Sequence, residues 1–190
     1  VYTGKVSLKT ATMFTLKNID IDASQSLNPV VSLSETPDES TKGTGDYYII
    51  KGAVTINGCN ITGVKNNLVY DGNKKYCLES LVINNTCVKL ACSSETNISS
   101  NAIVYFKGGF ANTLQVANST FWNTGDSDAK YFVQYNNSGR ATRAGYTNNW
   151  VKFLNSTFYN IAKAGQWANY GGFSGQKSSC FDVEKCIFVE

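Results

Sequence analysis

The chain has 190 residues, of which 42% are hydrophobic and 16% charged, and it carries a net charge of +3 and no histidine. This composition is typical of a folded domain with a core, and the charge is too small to predict binding to nucleic acid or to a membrane surface. No apolar run is long enough to span a bilayer, and six cysteines without a CxxC pair argue against a zinc site. We expect most of these cysteines to be small buried core residues, with disulfides as the alternative.

A pattern of two short alternating strands around a two-residue corner repeats along the chain. Its clearest copies are the segments 114–121 and 151–158, both of which contain Asn-Ser-Thr-Phe. Alternation of apolar and polar residues indicates β-strands, because successive side chains point to opposite faces. Aligned on this motif, the copies begin at residues 14, 54, 81, 114, 151 and 181.

The corner position of these copies favours a sharp bend. Asn or Gly, which tolerate a positive φ, occupies every copy except the last, which has Lys. The residue that follows is small in most copies, as expected next to a tight bend. We therefore predict stacked corners, with asparagine side chains hydrogen-bonded from coil to coil. The corner residues are Asn18, Gly58, Asn85, Asn118, Asn155 and Lys185.

A third apolar run precedes most motifs, at 47–50, 67–70, 102–106, 131–135 and 167–170. Three strands per turn predict an all-β chain, folded as a right-handed, single-stranded parallel β-helix of about five to six coils. A β-sandwich is the alternative, although its strands have no reason to repeat the corner. Polar stretches at 24–46, 93–100, 123–130, 136–149 and 171–179 are predicted loops.

We interpret residues 1–190 as a single β-helix domain. The chain begins without Met and ends within a predicted strand, so we expect it to be part of a longer protein.

The second half of the sequence resembles a family of surface proteins. The resemblance is carried by 129–135, Asn149-Trp150, 155–161 and 165–173, and is best over 100–190. These segments are similar to uncharacterised pectate-lyase-like β-helix domains of secreted or surface lipoproteins in gut Bacteroidetes. The resemblance implies an extracytoplasmic location (secreted, periplasmic or cell-surface) and a role connected with polysaccharide. It implies no particular catalytic residue.

A lyase reaction would need a basic side chain to abstract a proton, and Ca²⁺ held by several carboxylates. Arg140 and Arg143 are the only arginines, and Asp126 and Asp128 lie in the loop one strand earlier. These residues are the candidate catalytic and metal-binding cluster, and the alternative is that they simply solvate two loops. No cofactor is predicted, apart from Ca²⁺ if the protein is a lyase.

Aromatic residues give a different indication. Trp122 and Tyr159 occupy equivalent positions in successive motifs, and alternation from the neighbouring phenylalanines predicts that both point outward. A stacked pair of exposed rings suits contact with sugars, and Tyr131 and Tyr135 are further candidate sugar-binding residues. The alternative is that these rings pack beneath the loops.

The sequence therefore predicts a non-catalytic, extracytoplasmic β-helix module that binds polysaccharide or another glycan. A polysaccharide (uronate) lyase or glycoside hydrolase is the enzymatic alternative. A structural or adhesive surface protein, with the β-helix as a rigid spacer, is the third. The sequence leaves the oligomeric state open.

Overall fold

The computed structural model describes residues 6–7, 13–33, 48–72, 75–96, 102–136, 148–162, 167–169 and 178–190. Within these ranges the chain is all-β, and every strand pair is parallel. Each coil contributes one strand to each of three sheets, so the predicted parallel β-helix is confirmed. The β-sandwich alternative is wrong, because sandwich sheets are built from antiparallel strands.

The three sheets each have six strands, and we name them in the order in which a coil visits them. The first sheet contains β1 (Val6–Ser7), β4 (Val31–Ser32), β7 (Val69–Asp71), β10 (Ala102–Phe106), β13 (Tyr131–Tyr135) and β16 (Ala168–Asn169). The second contains β2 (Phe14–Lys17), β5 (Tyr48–Asn57), β8 (Tyr76–Asn84), β11 (Phe110–Ala117), β14 (Asn148–Leu154) and β17 (Ser178–Glu184). The third contains β3 (Asp20–Asp22), β6 (Asn60–Val64), β9 (Cys87–Leu90), β12 (Thr120–Asn123), β15 (Thr157–Tyr159) and β18 (Ile187–Val189).

The corner between the second and third sheets bends as predicted. All six corner residues have a positive φ, including Lys185 at 52°. Asparagine side chains link neighbouring coils, as between Asn155 Nδ2 and Asn118 Oδ1 at 3.4 Å. The small residues that follow the corners also link neighbouring coils, since the hydroxyl of Ser156 accepts a hydrogen bond from the backbone N–H of Ser119.

Two predictions about the strands are wrong. The run 47–50 does not form a strand of its own, because Tyr48 to Ile50 begin β5 of the second sheet. The first-sheet strand of that coil is β4, which lies within the predicted loop 24–46. A strand of only two residues beside Pro29 is too short to show alternation.

The core runs along the inside of the three sheets as ladders of apolar side chains. Phe158 stacks between Phe121 and Phe188, with ring centroids 5.7 and 5.1 Å away. The cysteines are only partly in this core, since Cys59, Cys77 and Cys92 are buried but Cys87 is exposed. All six cysteines are unpaired thiols, and Cys180 and Cys186 are half-buried. The prediction that most are buried therefore holds for three of the six.

Candidate functional site

The outward face of the third sheet carries the predicted aromatic pair. Trp122 of β12 lies in register with Tyr159 of β15, one coil further on. Tyr159 is 47% exposed and Trp122 is half-buried, so both side chains reach the surface, as alternation predicted. Lys89 precedes them in the same row, and Val189 follows. We call this row of Lys89, Trp122, Tyr159 and Val189 the aromatic row.

The other two predicted sugar-binding tyrosines lie in the first sheet, away from that row. Tyr135 is fully buried and stacks on Phe106, with ring centroids 5.4 Å apart. Its inclusion as a surface sugar-binding residue is therefore wrong, because no part of its ring reaches solvent. Tyr131 is half-buried, and Lys130 Nζ lies 5.6 Å from the centre of its ring.

The predicted lyase cluster is only partly within the described residues. Arg140 and Arg143 lie outside them, so their proximity to the aspartates remains a prediction. Asp126 lines a groove of about 600 Å³ at the corner between the third and first sheets. Lys65 and Glu95 also line this groove. In the described part of the chain, no three His, Cys, Asp or Glu side chains are grouped so that they could hold a metal ion.

Asp128 influences a buried thiol instead. Burial raises the pKa of Cys92 to about 12, and the negative charge of Asp128 contributes to this shift. Cys92 is held in the corner by a backbone hydrogen bond from its N–H to Asn123 Oδ1, at 3.1 Å. A thiol with such a pKa stays protonated at neutral pH and is therefore a poor nucleophile.

A second surface feature was missed from the sequence. Tyr70 of β7 and Tyr105 of β10 are register partners on adjacent coils of the first sheet. Their ring centroids are 5.6 Å apart, and the rings are tilted by 43°. They line a groove of about 320 Å³, which we call the tyrosine groove, together with Asn28, Asn66, Asn67 and Lys107. The missed signal is the dipeptide Val-Tyr, which occurs in both of the aligned first-sheet runs.

Hydrogen bonds hold the walls of the tyrosine groove in place. The Asn66 side chain donates from Nδ2 to the Leu27 carbonyl at 2.6 Å, and its Oδ1 accepts the Asn67 N–H at 2.7 Å. Asn67 in turn donates to the Ala102 carbonyl of the next coil. Both amides are committed to the fold, so the groove has a fixed shape.

The Tyr105 hydroxyl is fixed by a short chain of amides. Gln134 Nε2 donates to Asn136 Oδ1 at 2.7 Å, and Asn136 Nδ2 donates to the Tyr105 hydroxyl at 2.6 Å. The hydroxyl therefore accepts from Asn136 and keeps its own hydrogen to donate. Among the described residues, neither Tyr70 nor Tyr105 donates a hydrogen bond from its hydroxyl group.

A buried carboxylate lies beside the two tyrosines. Asp71 is fully buried and accepts hydrogen bonds from the backbone N–H groups of Gly108, at 3.0 Å, and Gly109. Burial raises the pKa of Tyr70, and the charge of Asp71 raises it further. Burial also raises the pKa of Tyr105; the charge of Tyr70 and that of Asp71 add to this, while the hydrogen bond from Asn136 opposes it. Both hydroxyls are therefore neutral donors at physiological pH.

Residues 2–124 match the family model described as a domain of unknown function, DUF4957. The match spans more than half of the 190 residues. The chain belongs to the DUF4957 family. No curated protein and no solved structure matches the chain. The DUF4957 match includes Trp122, Tyr70 and Tyr105 but ends before Tyr159.

The DUF4957 match leaves the resemblance to surface lipoproteins a prediction. The quoted segments of that resemblance begin at residue 129, beyond the last matched residue, 124. The described ranges contain no helix that is long and apolar enough to cross a bilayer. Within the DUF4957 match, the solenoid carries the tyrosine groove on one face and the first two residues of the aromatic row, Lys89 and Trp122, on another.

Proposed function

We propose that this chain is a glycan-binding β-helix module that acts outside the cytoplasm and has no catalytic role. The observation that carries the proposal is the pair Trp122 and Tyr159, in register on adjacent coils with Tyr159 47% exposed. Adjacent parallel strands lie about 4.8 Å apart, so the two side chains leave the same face of the solenoid on neighbouring coils.

This surface suits a chain of pyranose rings. One face of a pyranose ring presents C–H groups, and burying them against an aromatic side chain removes apolar area from water. Lys89, in the same row, supplies an ammonium group that can donate hydrogen bonds to ring hydroxyls. The β-sheet fixes the backbone positions of these three residues, so binding has to order only their side chains.

The extracytoplasmic location is supported by the resemblance to secreted or surface lipoproteins. The cysteines do not add to this support, because all six are unpaired. Of the enzymatic alternatives, the lyase depends on Arg140 and Arg143, and no contact among the described residues favours it. The adhesive alternative needs only the solenoid, which any β-helix provides.

Affinity electrophoresis through gels that contain a polysaccharide tests the proposal. The wild-type protein should be retarded by at least one plant or host polysaccharide, and Trp122→Ala/Tyr159→Ala should migrate as in the empty gel. Thr62→Ala is the matched control, because Thr62 also faces outward from the third sheet but lies two coils before Trp122. Its migration should equal that of the wild type.

Two results would contradict the proposal. One is a wild-type protein that no polysaccharide retards, and the other is a double variant that is retarded as strongly as the wild type. Release of unsaturated products from a uronate polymer in the presence of Ca²⁺ would show a lyase instead. Attachment of cells that persists in the double variant would favour the adhesive alternative.

A further inference from the structure

We propose that the tyrosine groove is a second, separate ligand site, and that it binds one or two rings of an uncharged pyranose sugar. This inference rests on the proposed function in one respect, because it takes from it the class of ligand, a sugar. The geometry of the site does not depend on the aromatic row. The groove belongs to the first sheet, whereas Trp122 and Tyr159 belong to the third. No other observation assigns a role to Tyr70 or Tyr105.

The shape and size of the groove select a short ligand. Its volume of about 320 Å³ lies at the lower end of the range for small-molecule pockets, about 300 to 1,000 Å³. Tyr105 is only 8% exposed, so the ring of Tyr70 and the hydroxyl edge of Tyr105 are what a ligand can touch. A single ring edge-on, or two rings in sequence, fits such a groove better than the middle of a long polymer.

The chemistry of the walls matches a ligand rich in hydroxyl groups. The two tyrosine hydroxyls can donate hydrogen bonds. The side-chain amides of Asn66 and Asn67, which hydrogen bonds already hold in place, can accept further ones through their oxygens. Because these groups are held by the fold before a ligand arrives, binding does not have to order them. Tyr70 adds an aromatic face, on which the C–H groups of a sugar ring can pack.

The charges around the groove favour a neutral ligand over an acidic one. Among the described residues that line it, Lys107 is the one cationic side chain, and the Asp71 carboxylate lies directly behind the two tyrosines. Burial raises the pKa of both hydroxyls, and the negative charge of Asp71 adds to the rise. The buried Asp71 carboxylate is screened less by water than the exposed Lys107 ammonium, so an acidic ligand is repelled more strongly than it is attracted.

Isothermal titration calorimetry of the full chain with defined disaccharides tests this inference. The probes are maltose, cellobiose and lactose, which are neutral, and digalacturonate, which is acidic. We expect at least one neutral disaccharide to bind with a Kd on the order of 1 mM, and digalacturonate to bind roughly tenfold more weakly. Absence of binding by all three neutral sugars would overturn the inference, as would equal or tighter binding of digalacturonate.

Two variants place the binding in this groove. Tyr70→Ala removes the ring and should abolish disaccharide binding, with its unfolding midpoint measured to show that the fold persists. Asn28→Trp fills the groove from an exposed loop position and should abolish binding without touching the core. Unchanged affinity in Asn28→Trp would overturn the assignment, even if Tyr70→Ala fails to fold.

The Trp122→Ala/Tyr159→Ala variant separates this inference from the proposed function. It should lose retention by polysaccharide gels but keep the wild-type affinity for the neutral disaccharide. A wild-type protein that binds polysaccharide but no disaccharide contradicts only the tyrosine groove. A protein that binds a disaccharide but is retarded by no gel contradicts only the aromatic row.

Discussion

Asn118 donates a hydrogen bond from Nδ2 to Asn84 Oδ1 of the preceding coil, at 3.0 Å. The donor is a corner residue, whereas the acceptor is the last residue of β8, one position before its own corner. The same sharing occurs one coil earlier, where Asn57 Oδ1 accepts from Asn84 and Asn85 at 3.3 and 3.4 Å. Asn57 precedes Gly58, which has no side chain, so the amide ladder continues through a corner that cannot contribute to it.

The corner conformation can be tested with Asn155→Val. Asn155 has a φ of 47°, where a β-branched side chain clashes with the backbone. We expect a loss of about 1–2 kcal/mol in the free energy of unfolding, or somewhat more for the branched side chain. Chemical unfolding in urea measures it.

Asn155→Gly is the control for that change, because it removes the same side-chain amide but accepts a positive φ. Asn155 is exposed, so neither variant leaves a cavity. Equal destabilisation by Val and Gly would show that Asn155 stabilises the fold through the amide ladder and not through its tolerance of a positive φ.

The hydroxyl at the next position is the subject of a second prediction, Ser119→Ala. Ser119 Oγ accepts the N–H of Thr86 at 3.1 Å and donates to the Ala117 carbonyl at 2.7 Å. Without it, a buried N–H in the preceding coil loses its partner, which costs about 1–3 kcal/mol. The midpoint of thermal unfolding should fall accordingly.

Ser119→Thr keeps the hydroxyl and is the matched control. Threonine already occupies this position in the preceding coil, as Thr86, where its hydroxyl donates to the Asn84 carbonyl at 2.8 Å. We expect Ser119→Thr to be much closer to the wild type than Ser119→Ala. If the two variants are equally unstable, the loss of stability comes from altered packing at the corner and not from the lost hydrogen bond.

The corner was predictable from the sequence because its chemistry is local. A positive φ restricts the residue type, so the repeat of Asn and Gly is visible without any tertiary information. Lys185 also has a positive φ, although its residue type gives no such signal. Its conformation is imposed by the parallel pairing of the preceding strand β17 with β14 and of β18 with β15.

The faces of the first sheet were not predictable in the same way. In β13, Phe132 and Val133 are consecutive and both fully buried, so alternation fails at this point. Counting every second residue therefore could not show that Tyr135 lies in the core. The tyrosine groove was missed for a related reason, since its walls come from loops and from different coils that only the register brings together.

Gly109→Ala tests how closely the coils pack where the first sheet passes into the second. A Cβ at Gly109 would overlap the Tyr76 carbonyl of the preceding coil, and backbone atoms cannot move aside easily. We expect a loss of about 3 kcal/mol or a failure to fold, measured as urea unfolding or as soluble yield.

Gly58→Asn is the corresponding control. Gly58 has a φ of 66°, and a Cβ there would meet the end of the Asn18 side chain, which can rotate away. Because Asn occupies the same corner in four other coils, we expect a change within about 0.5 kcal/mol. A stable Gly109→Ala variant would mean that the coils are packed more loosely than the structure shows.

Cys92 gives the pH dependence of stability a definite sign. Burial, reinforced by Asp128, raises its pKa from 9.0 to about 12 in the folded protein. Between these values the unfolded chain releases the thiol proton while the folded chain retains it. Stability is therefore unaffected by this group below pH 9.0 and is lost as the pH rises towards about 12. The slope for one group is about 1.4 kcal/mol per pH unit.

Cys92→Ala removes this contribution and can be compared with the wild type by urea unfolding at about pH 8 and about pH 10.5. At the lower pH, Cys92→Ala should be less stable than the wild type, because the shorter side chain leaves a cavity. We expect the difference from the wild type to shrink by on the order of 1–2 kcal/mol at the higher pH. Cys87→Ala, which removes an exposed thiol, is the control for the substitution itself. Lysines and tyrosines titrate in all three proteins and cancel, so a pH-independent difference for Cys92→Ala would show that its thiol is not kept protonated by burial.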